Sequence, residues 1–559
     1  MRPFLTSFEA LVPLAVTFGS LLGSTAALNP TIVLDNGTFT GVDAGVANKF
    51  LGIPFAKPPV GDLRFRLPVA NDPYNGSRMA TSFGDVCPQQ AFTLPLPKEV
   101  PTKGLEFVIN QVYNIISPAS EDCLSLNVWV PKTAQKGSNL PVVVWIYGGA
   151  FEFGGSNIYD GNIIVGRSIQ MSTPVIYVSL NYRVSAFGFL PGKEVKDARR
   201  REPWSPRFND SHSGGLTSTS LSLGVIPASW GESAGAISAS LQMVTNGGDT
   251  EGLFRGAFMQ SGSPLPVGDI TNGQKYYDAL VAQTNCSGAT DTLQCLREAP
   301  YDKLKAAVDD SPSVFSYQVA SHLFKRDLSS YQSYFPLKSL ALAWLPRADG
   351  VFLKDHPQVL VSQGSVANIP FVTGDCDDEG TLFALTSLNV TTSSQVAEYL
   401  GTTLLRNVSN AEAQQIVDLY PESNFLNGPT SQFSRIAGIL GDFVFQAPRR
   451  FFLQQTSGKQ NTWAFFSKRL NGLLYLGSFH ASDLLNVYGP GDMADYLINF
   501  VNNLDPNGRN GISWPRYSTS SPQALTFVDN VLQPQVLSMD TFRKDGMDSL
   551  TQLGMDHPY

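Results

Sequence analysis

The clearest regularity along the chain is a set of short, continuous apolar runs set between longer stretches of mixed polarity. Leu140-Pro141-Val142-Val143-Val144-Trp145-Ile146-Tyr147, Val175-Ile176-Tyr177-Val178-Ser179-Leu180 and Ile369-Pro370-Phe371-Val372-Thr373-Gly374 stand out. A strand that is apolar on both faces has no solvent side. Such strands, spaced by helix-length segments, predict a mostly parallel α/β sheet covered by helices on both faces. Leu473-Leu474-Tyr475-Leu476 reads as one more strand and Ala236-Ile237-Ser238-Ala239-Ser240-Leu241 as a helix. Ligands of such sheets sit beyond the carboxyl ends of the strands, so the residues that follow each run are where chemistry is sought.

Gly231-Glu232-Ser233-Ala234-Gly235 matches G-x-S-x-G, a sharp strand-to-helix turn that holds its serine in strained backbone geometry. The glycines are needed because side chains would collide within the turn. A helix that starts after Ser233 favours negative charge near it. The first apolar run ends in Gly148-Gly149-Ala150-Phe151, a turn whose Gly149 and Ala150 amides, joined by that of Ala234, are suited to hold a tetrahedral oxyanion. A serine nucleophile needs a base, and the chain has five histidines: His212, His322, His356, His480 and His557. His480 follows an apolar run within a loop, as a general base should. An acid that orients the base is sought in Asp375-Cys376-Asp377-Asp378-Glu379-Gly380, which also reads as a solvated loop or a weak cation site. The order serine, acid, histidine is that of the α/β-hydrolase arrangement and not the trypsin-like one.

With these features in hand, the chain resembles the type-B carboxylesterases, and within them the Candida rugosa-like fungal lipases. The stretches that carry the resemblance are Phe50-Leu51-Gly52-Ile53-Pro54-Phe55-Ala56, Glu121-Asp122-Cys123-Leu124-Ser125-Leu126-Asn127-Val128, Asn181-Tyr182-Arg183-Val184-Ser185, the Ser233 turn, Asp378-Glu379-Gly380-Thr381 and the His480 segment. The resemblance implies an α/β-hydrolase fold with a disulfide-bounded lid. It gives Ser233 the role of nucleophile, His480 that of base and Glu379 that of acid. Gly149, Ala150 and Ala234 become the oxyanion hole, although Ala150 stands where many relatives have a third glycine. The function implied is hydrolysis of lipid carboxylic esters, as a triacylglycerol lipase or sterol esterase, through an acyl-enzyme. A short-chain carboxylesterase and a catalytically impaired binding protein are the alternatives. No metal or cofactor enters this reading.

The remaining signals concern location. Arg2, an apolar run from Ala10 to Leu22 and the small residues Thr25-Ala26-Ala27 read as a secretory signal peptide covering residues 1–27, followed by a single domain over 28–559. No later run is long and apolar enough to span a bilayer. Sequons at Asn36, Asn75, Asn285, Asn389 and Asn407 fit an extracellular, secreted protein. Five cysteines allow two bridges and one free thiol in an oxidising compartment. Cys286 with Cys295, and Cys87 with Cys123, are close enough in sequence to close loops. The resemblance implies the same pairing, leaves Cys376 free and makes the Cys87–Cys123 loop the lid, whose Leu105-Glu106-Phe107-Val108-Ile109-Asn110-Gln111-Val112-Tyr113 is amphipathic and suited to a lipid–water interface. The formal charge of −8 gives nucleic-acid binding no electrostatic support.

One stretch, 198–229, is anomalous. Between Asp197 and Gly231 the resemblance stops, and Arg199-Arg200-Arg201-Glu202-Pro203 leads into a Ser/Thr/Gly-rich run. Shifted reading frames permit N-L-G-L-Q-D and F-G-G-D-P-S-K there, so the stretch reads as a frameshift or gene-model error. Pro227 falls where a central strand is expected, and proline cannot donate to a sheet ladder.

Overall fold

The computed structural model describes residues 29–91, 118–200, 226–315, 340, 342–405, 407–422, 428–489 and 491–559. The signal-peptide reading, most of the lid and most of the 198–229 stretch fall outside the described residues.

Fourteen strands appear among them. They are β1 (Thr31–Leu34), β2 (Asn36–Thr40), β3 (Val42–Asp43), β4 (Ala47–Pro54), β5 (Asn75–Met79), β6 (Ser125–Pro131), β7 (Val142–Ile146), β8 (Ile176–Leu180), β9 (Ala228–Glu232), β10 (Gly256–Gln260), β11 (Phe371–Cys376), β12 (Thr462–Lys468), β13 (Gln523–Val528) and β14 (Gln535–Met539). Eleven form one sheet in the order β14-β13-β12-β11-β10-β9-β7-β8-β6-β4-β3, while β1, β2 and β5 form a small separate sheet. From β13 through β8 every neighbouring pair is parallel, and the antiparallel pairs lie towards the two edges.

Every residue of β7, β9, β10 and β11 is buried. This is why β7 and β11 read as apolar runs, since both faces of the central strands are covered. Among the helices, α1 (Gly161–Gln170) packs on β6 and β8, and α2 (Ala234–Val244) packs on β7, β9 and β10. Asp160 caps α1 by accepting from the Asn162 amide at 3.0 Å. Further along, α3 (Phe433–Gly441) runs through a π-helical turn at 442–446 into α4 (Ala447–Thr456), which packs on β12 and on α5 (Lys544–Asp556).

Two expectations change. Residues 473–476 are turns, not a strand. Tyr475 has φ +64° and Leu474 is 52% exposed, so the apolar run belongs to a loop that follows β12. Pro227 does not interrupt the central strand, because β9 begins one residue later at Ala228. A proline needs no donor at the mouth of a strand, and the Pro227 carbonyl still accepts from the Arg255 amide at 2.9 Å.

Disulfides join Cys87 to Cys123 and Cys286 to Cys295, and Cys376 is a buried free thiol. All five expected sequon asparagines are exposed, and Asn36 lies directly opposite Asn75 in the β2–β5 register. No helix among the described residues is long and apolar enough to cross a membrane.

Candidate active site

The carboxyl end of β9 is where the geometry tightens. The chain leaves Glu232, turns through Ser233 at φ 54° and ψ −123°, and enters α2 at Ala234. The two glycines of the pentapeptide are fixed by close approach. A Cβ on Gly231 would lie 2.4 Å from the Gly235 backbone, and one on Gly235 would lie 2.0 Å from the Ile146 carbonyl oxygen. β7 and α2 therefore meet backbone to backbone, and the turn has no room to relax. The Ser233 amide donates to the Gln260 carbonyl at 2.8 Å, which ties the turn to β10.

Ser233 Oγ lies 2.8 Å from His480 Nε2, and His480 Nδ1 lies 2.5 Å from Glu379 Oε2. All three side chains are buried. Glu379 Oε1 in turn accepts from Ser261 Oγ at 2.5 Å and from the Cys376 amide at 2.7 Å. The loops that carry Glu379 and His480 are joined next to those residues. The Asp378 amide donates to the Ser478 carbonyl at 3.0 Å, and the Ser478 amide donates to Asp378 Oδ2 at 2.9 Å.

The neighbouring aspartates are otherwise engaged. Asp375 pairs with Arg449 at 2.6 Å and Asp377 with Lys468 at 2.9 Å. Of the acidic cluster, Glu379 alone reaches His480. Among the other histidines in described positions, His356 precedes a helix and His557 lies 3.6 Å from Glu412. His212 and His322 lie outside the described residues. Among the described residues, no group of three or more His, Cys, Asp or Glu side chains is placed to hold a metal ion.

Burial disfavours a charged His480, but the carboxylates of Glu379, Glu232 and Asp483 outweigh it and push its pKa up to about 9. Glu232 and Ser261 were not singled out in the sequence. Glu232 is buried, with Oε1 3.4 Å from His480 Nε2, and burial pushes its pKa up to about 8. Its only signal is an acidic residue before the serine of G-x-S-x-G. Ser261, at φ 54°, follows β10 and has no local motif beyond the glycine after it.

Ser233 and His480 line a pocket of about 560 Å³, counting its open mouth, whose other walls include Phe151, Ile237, Leu265, Phe315, Leu342, Phe383, Val444 and Phe445. Gly149, Ala150 and Ala234 line the same pocket. Gly149 has φ 114° and Ala150 φ 57°, so the alanine adopts a left-handed conformation that glycine takes more easily. Ala234 opens α2, and its amide has no partner within the helix. An activated hydroxyl, a relayed base and free amides at the end of an apolar pocket can add to a carbonyl carbon and hold the resulting oxyanion.

The fold and site define a carboxylic ester hydrolase of the α/β-hydrolase type. The model of the carboxylesterase family matches residues 29–198 and 229–542. Lipase 4 of Diutina rugosa is 37% identical over 571 aligned positions, covering 95% of this chain and 97% of the relative. A secreted triacylglycerol lipase of Gibberella zeae is 35% identical, covering 93% of this chain and 90% of its own. In three dimensions, Aspergillus niger EstA superposes with a TM-score of 0.75 at 24% identity, covering 94% of this chain and 99% of that one, which speaks to the fold. The chain belongs to the carboxylesterase family.

Proposed function

We propose that the protein is a secreted lipase that hydrolyses water-insoluble lipid esters through an acyl-enzyme on Ser233. The observation that carries this reading is the Ser233–His480–Glu379 hydrogen-bond chain at the end of an aromatic and aliphatic pocket. His480 Nε2 takes the Ser233 proton as Oγ attacks the ester carbonyl. Glu379 holds the imidazole by Nδ1 and stabilises its charged form. The amides of Gly149, Ala150 and Ala234 receive the oxyanion. Collapse expels the alcohol, which takes its proton from His480, and a water activated by the same histidine releases the acid.

The pocket walls suit an acyl chain better than a polar substituent. Relatives named as lipases and as a secreted triacylglycerol lipase, matched over nearly their whole length, favour lipid esters and secretion. The Cys87–Cys123 bridge closes the loop read as the lid, whose apolar face would bind a lipid surface.

Hydrolysis of emulsified long-chain triacylglycerol, compared with a soluble short-chain p-nitrophenyl ester on either side of the substrate solubility limit, tests this. The expected result is a step up in rate once the substrate separates as an emulsion. Ser233→Ala should lower both activities by a thousandfold or more, of the order expected on losing a triad member. Turnover confined to dissolved short-chain esters would make the protein a short-chain esterase instead.

A further inference from the structure

Glu152 carries a fully buried carboxyl group three residues beyond Gly149, and no step above uses it. It does not line the pocket. It does link three segments around it. Its amide donates to the Gly149 carbonyl at 2.9 Å and closes the turn. Its own carbonyl accepts from the Gln90 amide at 2.8 Å. Its Oε2 accepts from the Val314 amide at 2.8 Å, and Oε1 has no hydrogen-bond partner among the described residues.

The Gly149 and Val314 segments line the pocket, and the third leads into the loop closed by Cys87–Cys123. Gln90 and Ala91 lie on the stem of the Cys87–Cys123 loop. They are fastened to the Val314 segment as well, through Gln90 Nε2 to the Ser311 carbonyl at 2.6 Å and the Ala91 amide to Asp309 Oδ1 at 2.7 Å. Phe315, next to Val314, stacks on Phe383 at 5.8 Å between ring centroids, and Phe383 lies 5.4 Å from the His480 ring. A carboxyl group withdrawn from water with one oxygen unpaired is costly, and an apolar residue would fill the space more cheaply. Burial also holds the group in its neutral form, well above the usual carboxylate range.

We propose that Glu152 is a positioning residue. Its side chain locks the Gly149–Ala150 turn to the pocket wall at Val314–Phe315, and its backbone locks the same turn to the stem of the lid. The turn's amides are thereby held where an oxyanion forms. The proposal rests on the reading of that turn as the oxyanion hole.

Glu152→Met keeps the length and volume of the side chain but removes the acceptor for the Val314 amide. Glu152→Gln keeps a neutral acceptor oxygen in the same place. Both are compared with wild type for kcat and KM on p-nitrophenyl butyrate and for competitive inhibition by an alkylboronic acid, a mimic of the tetrahedral intermediate. Outright loss of an oxyanion donor costs about 10²–10³ in kcat, so a misplaced turn should cost about tenfold. Glu152→Met is expected to lose about tenfold in kcat and in boronic acid affinity, with KM within twofold because ground-state binding is untouched. Glu152→Gln is expected to recover both to within threefold of wild type. An unchanged kcat in Glu152→Met, equal impairment in Glu152→Gln, or a Glu152→Met chain that does not fold would overturn the proposal. Competitive inhibition of the wild type by the boronic acid, measured first, separates a failure of the oxyanion reading from a failure of this one.

Discussion

Ser233 sits in a backbone conformation that costs a residue bearing a Cβ about 1–3 kcal/mol, and the contacts of Gly231, Gly235 and Gly262 leave it no alternative. His480 is the residue whose chemistry can be read most directly in solution. As the base proposed for Ser233 it would work only when neutral, and the Glu379 carboxylate stabilises its charged form against burial. The acid limb of kcat/KM should therefore fall above the ordinary histidine value of 6.5. Activity rises as pH climbs through that limb. Glu379→Gln should lower kcat/KM on the order of a thousandfold at pH 7, and the residual activity should show its acid limb at lower pH. A pH–rate profile for both proteins checks this, and an unshifted limb would count against Glu379 as the partner of His480. The G-x-S-x-G pentapeptide was legible because its glycines answer a local steric demand. Glu232 and Ser261 were not, since their part in the site depends on closeness to His480 and Glu379, residues far away in sequence.

The elements around the site are fastened by a buried charge network. Arg449 of α4 reaches Asp375 on β11 at 2.6 Å and Asp540, just past β14, at 2.9 Å, while Arg450 reaches Asp540 at 2.7 Å. Burial raises the Asp540 pKa, but Arg449 and Arg450 prevail and lower it to about 2. Asp540→Asn leaves buried arginines undercompensated and should cost about 3–5 kcal/mol at neutral pH. A carboxylate with a depressed pKa lends stability above its unfolded value, near 3.9, and that contribution is lost as pH falls through about 2. Urea midpoints of wild type and Asp540→Asn should thus converge as pH falls from about 4 towards 2, and a constant gap would contradict the account. At this scale β7, β8 and β11 were legible, because burial on both faces favours an apolar sequence, whereas the equally buried β9 carries Ser229, Gly231 and Glu232 and gave no such run. The same rule misread 473–476, where an apolar run folds as turns and leaves Leu474 half in solvent. Pro227 misled in the opposite sense, since a strand can begin immediately after a proline. Sequencing the transcript across 198–229 tests the frameshift reading, and an intact frame that encodes the printed residues would refute it.

For the whole molecule, apolar periodicity predicted a parallel sheet but not the order of its eleven strands. That order depends on which strands pair, and pairing joins positions far apart in sequence, as Leu126 of β6 with Leu180 of β8 and Ala257 of β10 with Phe371 of β11 illustrate. The loop closed by Cys87–Cys123 spans 36 positions. Replacing both cysteines with serine should lower stability by about 3–4 kcal/mol on the chain-entropy scale. Calorimetry reads the stability change. The ratio of emulsion to soluble-ester activity should fall as well, and an unchanged ratio would argue that the loop is no lid. All of this converges on one atom, Ser233 Oγ. Incubation with a p-nitrophenyl alkylphosphonate, followed by peptide mass mapping, reports on it directly. One phosphonyl group per chain is expected, on the peptide that contains Ser233, with activity lost in step and no label taken up by Ser233→Ala. Label on another residue, or inactivation of an enzyme whose Ser233 stays unmodified, would contradict it.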